Sequence, residues 1–75
     1  MTNTTINLEK TGDNIKRIRK NKDITVADLV SELGFQNPQS VYKWERGENL
    51  PSVDNLVILS KVLDTSIDDI LVLDN

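Results

Sequence analysis

Residues 41–47 (VYKWERG) follow residues 29–34 (LVSELG) after a gap of only six residues, and these two segments decide the fold. At 100° per residue on a helix, Val41 and Trp44 point to one side. The opposite side carries hydrogen-bonding groups, from Gln39, Tyr42, Lys43 and Arg46. The pattern predicts two amphipathic helices in close succession, the second with an apolar inner side and a polar outer side.

Capping residues and glycines divide the chain into five short helices. Thr11 or Asp13 can cap a first helix that runs to about Asn21, and Thr25 opens a second helix that ends at Gly34. Three more helices are predicted over residues 38–46, over about 52–63, and from residue 66 to about 71. No segment alternates with period two, so the predicted fold class is all-α. Residues 1–10 lack caps and periodicity, and we expect a flexible N-terminal arm before one domain of residues 11–75.

The composition excludes several classes of function. The 75 residues include no cysteine and no histidine, which excludes disulfides, thiolate or imidazole metal sites and histidine acid–base chemistry. The longest apolar run, residues 70–73, is too short to span a bilayer, and no secretion signal is visible. We therefore expect a cytoplasmic protein without metal or cofactor. The surface carboxylates have no nucleophile beside them, so neither an enzyme nor a small-molecule substrate is expected.

The net charge of −3 is unevenly distributed along the chain. Residues 1–50 contain eight Lys or Arg and seven Asp or Glu, whereas residues 51–75 contain one Lys and five Asp. Six of the basic residues lie within residues 10–22. A basic N-terminal half could face phosphates, although a run of charges is also typical of an ordinary solvated helix face.

Residues 15–71 resemble the Cro/repressor-type helix-turn-helix domain, also called the xenobiotic-response-element family. The matching pieces are residues 15–19 (IKRIR), Thr25 with Leu29 and 33–34 (LG), 40–47 (SVYKWERG), 50–56 (LPSVDNL) and 66–71 (SIDDIL). The resemblance implies a compact five-helix, lambda-repressor-like domain that binds operator DNA, commonly as a homodimer.

The chain departs from the common family pattern at three places. The turn from Gly34 to Trp44 is one residue longer, with the pair 37–38 inserted. Val26 stands where many members have a glutamine that contacts a phosphate, and Glu48 stands where many have a lysine or arginine. The last two departures remove expected phosphate contacts and imply weaker affinity for DNA.

An outer helix side with amide and ammonium groups is typical of a helix that reads the major groove. Gln39 can pair with adenine, and Lys43, one turn later, can donate to guanine. Tyr42 is open to two interpretations, because it could contact the DNA backbone or cover the edge of the core. Asn37, at the helix start, and Arg46, near its end, should meet phosphates. The full predicted DNA-binding set is Lys20, Thr25, Asn37, Gln39, Ser40, Tyr42, Lys43 and Arg46.

Two residues beside this outer side are predicted to be structural. Trp44 shares a side with Val41, which favours the core over stacking on bases. Glu45 turns inward and needs a partner, and Arg19, at the edge of the first helix's inner side, is the predicted one. The family resemblance supports the same pair.

A second apolar stripe on the fourth helix leaves the oligomeric state open. Ile58 and Val62 lie opposite the stripe of Leu56, Leu59 and Leu63, so either the C-terminal segment with Leu73 folds over them or a second subunit does. We expect a two-fold homodimer through Ile58, Val62 and Leu73.

The predicted function is a sequence-specific DNA-binding transcriptional regulator that acts as a repressor. The alternative is a protein-interaction module of the same fold with weak or lost DNA binding.

Overall fold

Five helices and two very short strands make up residues 4–74, which the computed structural model describes. The predicted five-helix fold is confirmed, with one antiparallel strand pair added to it. In chain order the elements are β1 (Thr5–Ile6), α1 (Leu8–Asn21), α2 (Val26–Leu33), α3 (Gln39–Glu45), α4 (Val53–Val62), α5 (Ile67–Ile70) and β2 (Leu73–Asp74). None of the helices in these residues is both long enough and apolar enough to cross a membrane.

The predicted caps of α2 and α4 form. The Thr25 hydroxyl accepts from the Asp28 N–H at 3.0 Å, and the Asp28 carboxylate accepts from the Thr25 N–H at 2.9 Å. Hydrogen bonds to the carboxylate from Thr25, first from its backbone N–H and then from its side chain, hold the pKa of Asp28 below its ordinary value. Gly34, with a φ of 73°, ends α2, and the Ser52 hydroxyl caps α4. The start and direction of α2 are therefore fixed by local chemistry.

Helix α1 begins at Leu8, so the prediction of a start at Thr11 or Asp13 is wrong. Asn7 is the cap, because its side-chain oxygen accepts from the Lys10 N–H at 2.8 Å while its own N–H donates to the Val72 carbonyl at 2.7 Å. Residues 5–6 form β1 and residues 8–10 begin α1, with Asn7 as the cap between them, so the predicted arm over residues 1–10 is wrong for that part. Residues 1–3 of that arm lie outside the described residues.

A polar stripe on α1 holds the C-terminal segment. It consists of Asn7, Thr11 and Asn14, whose spacing of four and three residues places them on one side of the helix. Asn7 donates to the Asp74 carboxylate at 3.0 Å, and Thr11 accepts from the Val72 N–H at 2.9 Å. Asn14 donates to the carbonyls of Asp69 and Ile70 at 2.8 and 2.9 Å. Residues 69–74 are thus bound to this stripe mainly through backbone groups, which sequence periodicity does not reveal.

The core takes apolar residues from all five helices. Its buried members are Ile15, Ile18, Leu29, Val41, Trp44, Leu56, Leu59, Leu63 and Ile70. Trp44 is only 5% exposed, which confirms its predicted place in the core. The ring of Phe35, from the turn before α3, meets it edge-on with centroids 5.8 Å apart. Burial of each such side chain stabilises the fold by about 1.5–3 kcal/mol.

Gly12 lies where α1 packs closely against α3. A Cβ atom added at Gly12 would lie 2.3 Å from the carbonyl oxygen of Trp44 and 2.9 Å from that of Glu45. Both neighbours are backbone atoms of α3, so neither can rotate away. The absence of a side chain at residue 12 therefore sets how closely α3 lies against α1.

We expect Gly12→Ala to destabilise the fold by about 3 kcal/mol, because the added methyl group forces α1 away from α3. Urea unfolding followed by circular dichroism measures the loss. Gly34→Ala is the matched control, because it adds a methyl group where no atom lies within 4 Å. Its expected loss of stability is about 1 kcal/mol, which comes only from the left-handed backbone conformation at residue 34. Equal losses in the two variants would contradict the account of this crossing.

Candidate nucleic-acid interface

The outer side of α3 is exposed while its inner side is buried. Val41 is 0% and Trp44 is 5% exposed, and together they fasten the helix to the core. Gln39, Lys43 and Arg46 are all exposed on the other side. Gln39 and Lys43 are four residues apart, so their side chains project next to each other. The geometry presents one amide and one ammonium group outward from a short, firmly held helix.

The start of α3 differs slightly from the prediction. The helix begins at Gln39, and Pro38 occupies the capping position without a side-chain cap. The Asn37 side chain nevertheless accepts from the Gln39 N–H at 3.1 Å, so it satisfies one of the backbone donors at the helix start. Ser40 is exposed beside Gln39. The longer turn is thus accommodated before the helix and leaves the side chains of α3 free to project.

A buried ion pair joins α3 to α1, as the sequence predicted. Arg19 Nε donates to Glu45 Oε2 at 2.8 Å, and Arg19 Nη2 donates to Glu45 Oε1 at 3.1 Å. The two side chains are 9% and 7% exposed. Arg19 Nη1 also donates to the Ile24 carbonyl at 3.1 Å, in the loop before α2. One guanidinium group therefore ties α1, the loop before α2 and the end of α3 together.

A groove separates the start of α2 from the exposed flank of α3. Its cavity of about 330 Å³ is lined from α2 by Val26, Ala27, Val30 and Ser31, from the turn by residues 36–38, and from α3 by Tyr42. Tyr42 is 42% exposed, so its ring forms a wall of this groove while part of it remains open to solvent. Thr25, the cap of α2, precedes the groove directly. The first turn of α2 and the outer side of α3 thus belong to one surface.

The remaining candidates differ in how freely they can meet a phosphate. Arg46 and Glu48 form an exposed ion pair, with side chains 56% and 49% exposed. Such a pair is weak and can open when a phosphate competes for the guanidinium group. Lys20 is exposed on the last turn of α1 and does not line the groove. The Thr25 hydroxyl is already engaged with Asp28, so a phosphate must compete with that residue for it.

Sequence reasoning missed the groove as a feature of this surface. In the sequence, Val26 indicates only a lost phosphate contact and not the wall of a groove. The small side chains of Ala27 and Ser31, one turn apart on the neighbouring flank of α2, were the available signal, because small residues leave room between two helices. Residues 4–74 contain no group of acidic residues placed to hold a metal ion.

Comparison with protein families gives one match, the helix-turn-helix family, over residues 15–70. The restriction-modification controller protein C.AhdI from Aeromonas hydrophila is a solved structure of 25% identity; the match covers 84% of this chain and 94% of that one, with a TM-score of 0.74. The P22 c2 repressor, solved in complex with a synthetic operator, has 36% identity, coverage of 81% and 91%, and a TM-score of 0.74. No curated protein matches the chain.

A third similar structure is HppE with cobalt and substrate, at 28% identity and a TM-score of 0.77. The match covers 88% of this chain but only 36% of HppE. The likeness therefore concerns the helical fold of about a third of that protein.

We expect Glu45→Ala to destabilise the fold by about 3–5 kcal/mol, because it leaves the Arg19 guanidinium group buried without its carboxylate partner. Thermal and urea unfolding measure the loss. Glu9→Ala, which removes an exposed carboxylate from the first turn of α1, is the control, with an expected loss of less than about 1 kcal/mol. Similar losses in both variants would show that the pair does not fasten α3.

Proposed function

We propose a specific role for this chain, which belongs to the Cro/repressor-type helix-turn-helix family of DNA-binding transcriptional regulators: it is a repressor that reads the major groove with α3. The observation that carries this proposal is the pair of exposed side chains, Gln39 and Lys43, on a helix whose other side is buried. A glutamine amide can bond both N6 and N7 of adenine, and a lysine can donate to O6 or N7 of guanine. Ser40 flanks them, within reach of a base edge or a phosphate.

Contacts to the DNA backbone would come from the edges of the same surface. Thr25 at the start of α2, Asn37 and Tyr42 beside the groove, and Arg46 at the end of α3 surround the two reading residues. Lys20 adds a positive charge from α1, in the basic stretch of residues 10–22. Phosphate contacts of this kind position the helix in the groove, and they make affinity fall steeply with salt.

Binding of this chain to the DNA backbone should be weaker than is common in the family. Val26 offers no hydrogen bond at the start of α2, and Arg46 must leave Glu48 before it can bind a phosphate. A net charge of −3 adds a general repulsion from DNA. A second binding unit would compensate, because two linked contacts raise the overall affinity.

We therefore also propose that the chain acts as a two-fold homodimer, for which Ile58, Val62 and Leu73 were the sequence candidates. Leu73 is the strongest of the three, since it is 52% exposed. Val62 packs against the core of its own chain, and Ile58 is half-buried, so both have less surface to offer. A two-fold dimer would read two half-sites about 34–36 Å apart.

The alternative is a protein-interaction module of this fold that has lost DNA binding. The Arg46–Glu48 pair favours it, because it neutralises a cation on the proposed reading surface. The groove beside α3, with no charged side chain in its lining, favours it as well. The binding experiment below separates the two functions.

We expect Gln39→Ala and Lys43→Ala each to weaken binding to the preferred DNA site about tenfold or more, because each removes a contact to a base. The site is first selected from a random duplex library with the unaltered chain, and affinities are then measured by fluorescence anisotropy at two salt concentrations. Lys61→Ala, which removes an exposed cation from α4, is the control and should leave the affinity unchanged.

Two outcomes would contradict the repressor proposal. One is a failure to enrich any sequence from the library at low salt, which would favour the protein-interaction module. The other is an equal loss in all three variants, which would mean that charge alone, and not reading of bases, governs binding.

We expect the unaltered chain to have the mass of a dimer in multi-angle light scattering, and Leu73→Lys to shift it toward the monomer, because a charge would be buried between the subunits. Val53→Lys is the matched control, as Val53 is the most exposed of the large apolar residues at 75%. A monomer at all concentrations, or a dimer that Leu73→Lys leaves intact, would rule out the proposed interface.

A further inference from the structure

The groove between α2 and α3 has the dimensions of a ligand site. Its volume of about 330 Å³ lies at the lower end of the range for small-molecule pockets. Val26, Val30, Pro38 and the ring of Tyr42 supply apolar walls. Lining by apolar groups with a few polar ones is the usual composition of such pockets.

The walls of the groove are held in place before any ligand arrives. Val26 and Val30 form its floor, and both pack against the core from their other side. The turn that forms the opposite wall is fixed by Phe35, whose N–H donates to the Val30 carbonyl at 3.0 Å and whose ring contacts Trp44. A preformed site avoids the cost of ordering loops when it binds.

The chemistry of the lining restricts the ligand. No lysine, arginine, aspartate or glutamate lines the groove, so a charged ligand would lose its hydration without gaining a partner. The aromatic ring of Tyr42 favours a flat partner, which can stack on it or meet it edge-on. Within residues 4–74, the side chains of Ser31, Gln36 and Tyr42 make no hydrogen bond to another residue, so their polar groups are available to a ligand.

We propose that this groove binds a neutral aromatic small molecule of one or two rings that carries a hydrogen-bonding group. The ring lies over Val26 and Val30 against Tyr42, and its polar group meets Ser31 or Gln36 at the rim. This proposal rests on the proposed function in one respect. Because Tyr42 and the first turn of α2 border both the groove and the DNA-reading surface, a ligand here competes with DNA.

Indole is a suitable probe of the binding site itself. It is titrated into the full chain, labelled with ¹⁵N, to about 10 mM, a range that detects the weak affinity expected of a small fragment. We expect progressive, saturable shifts of the amide signals of residues 26–31 and 36–42. Indole-3-acetate, which adds a negative charge to the same ring system, should bind at least about fivefold more weakly.

Ala27→Phe tests whether the groove is the site, because a large side chain at this exposed position of α2 fills the cavity without disturbing the core. We expect it to weaken indole binding about tenfold or more. Val53→Phe adds the same side chain to the exposed surface of α4 and should leave binding unchanged. Circular dichroism verifies that both variants are folded.

Competition with DNA is measured separately, by anisotropy of the selected site with and without indole. We expect at least about a threefold loss of DNA affinity at saturating indole. Absence of shifts, shifts centred away from the groove, or undiminished binding by Ala27→Phe would overturn the ligand site. If no DNA binds while the indole shifts follow expectation, the proposed function fails and the ligand site stands.

Discussion

The contact between α1 and α3 is the constraint on which the rest of the structure depends. Helix α3 has only seven residues, and a helix of that length is not stable by itself in water. Gly12 lets its backbone approach α1 closely, and Arg19 holds Glu45 at its end through two hydrogen bonds. Packing of Val41 and Trp44 on the core completes the anchor. The orientation of Gln39 and Lys43 toward solvent follows from this attachment.

Burial of the Arg19–Glu45 ion pair costs desolvation energy, and its position at the contact between α1 and α3 explains its role. A hydrophobic pair in its place could be equally stable, but it would lack the two directional hydrogen bonds that join the end of α3 to α1. The guanidinium group reaches Glu45 and the Ile24 carbonyl at once, so it aligns α3 with the loop that leads into α2. The groove lies between the two helices that this group aligns. The position of Gln39 and Lys43 and the shape of the groove therefore both depend on this ion pair.

Much of the fold was predictable because its signals are local. The capping box at Thr25, the glycine at the end of α2 and the apolar spacing of α3 and α4 each depend on residues within two turns of one another. The start of α1 at Leu8 was missed, although Asn7 caps it through a local bond from the Lys10 N–H; what is not local is the contact of Asn7 with Val72 and Asp74, which holds this turn. At the site, exposure of Gln39 and Lys43 follows from periodicity, and the pairing of Arg19 with Glu45 follows from the need to neutralise an inward carboxylate. The groove depends on how α2 and α3 are placed relative to each other, and its local signal is limited to the small side chains of Ala27 and Ser31.

The bond between Asn7 and Asp74 spans 67 positions and nearly joins the two ends of the described chain. Closing so long a loop is entropically costly unless the helices between its ends are already assembled. The strand pair of β1 with β2 consists of exposed residues only, and it is where the molecule should open first. Amide hydrogens of residues 5–7 and 72–74 should consequently exchange with solvent far sooner than those of α3, which is packed on the core through Val41 and Trp44.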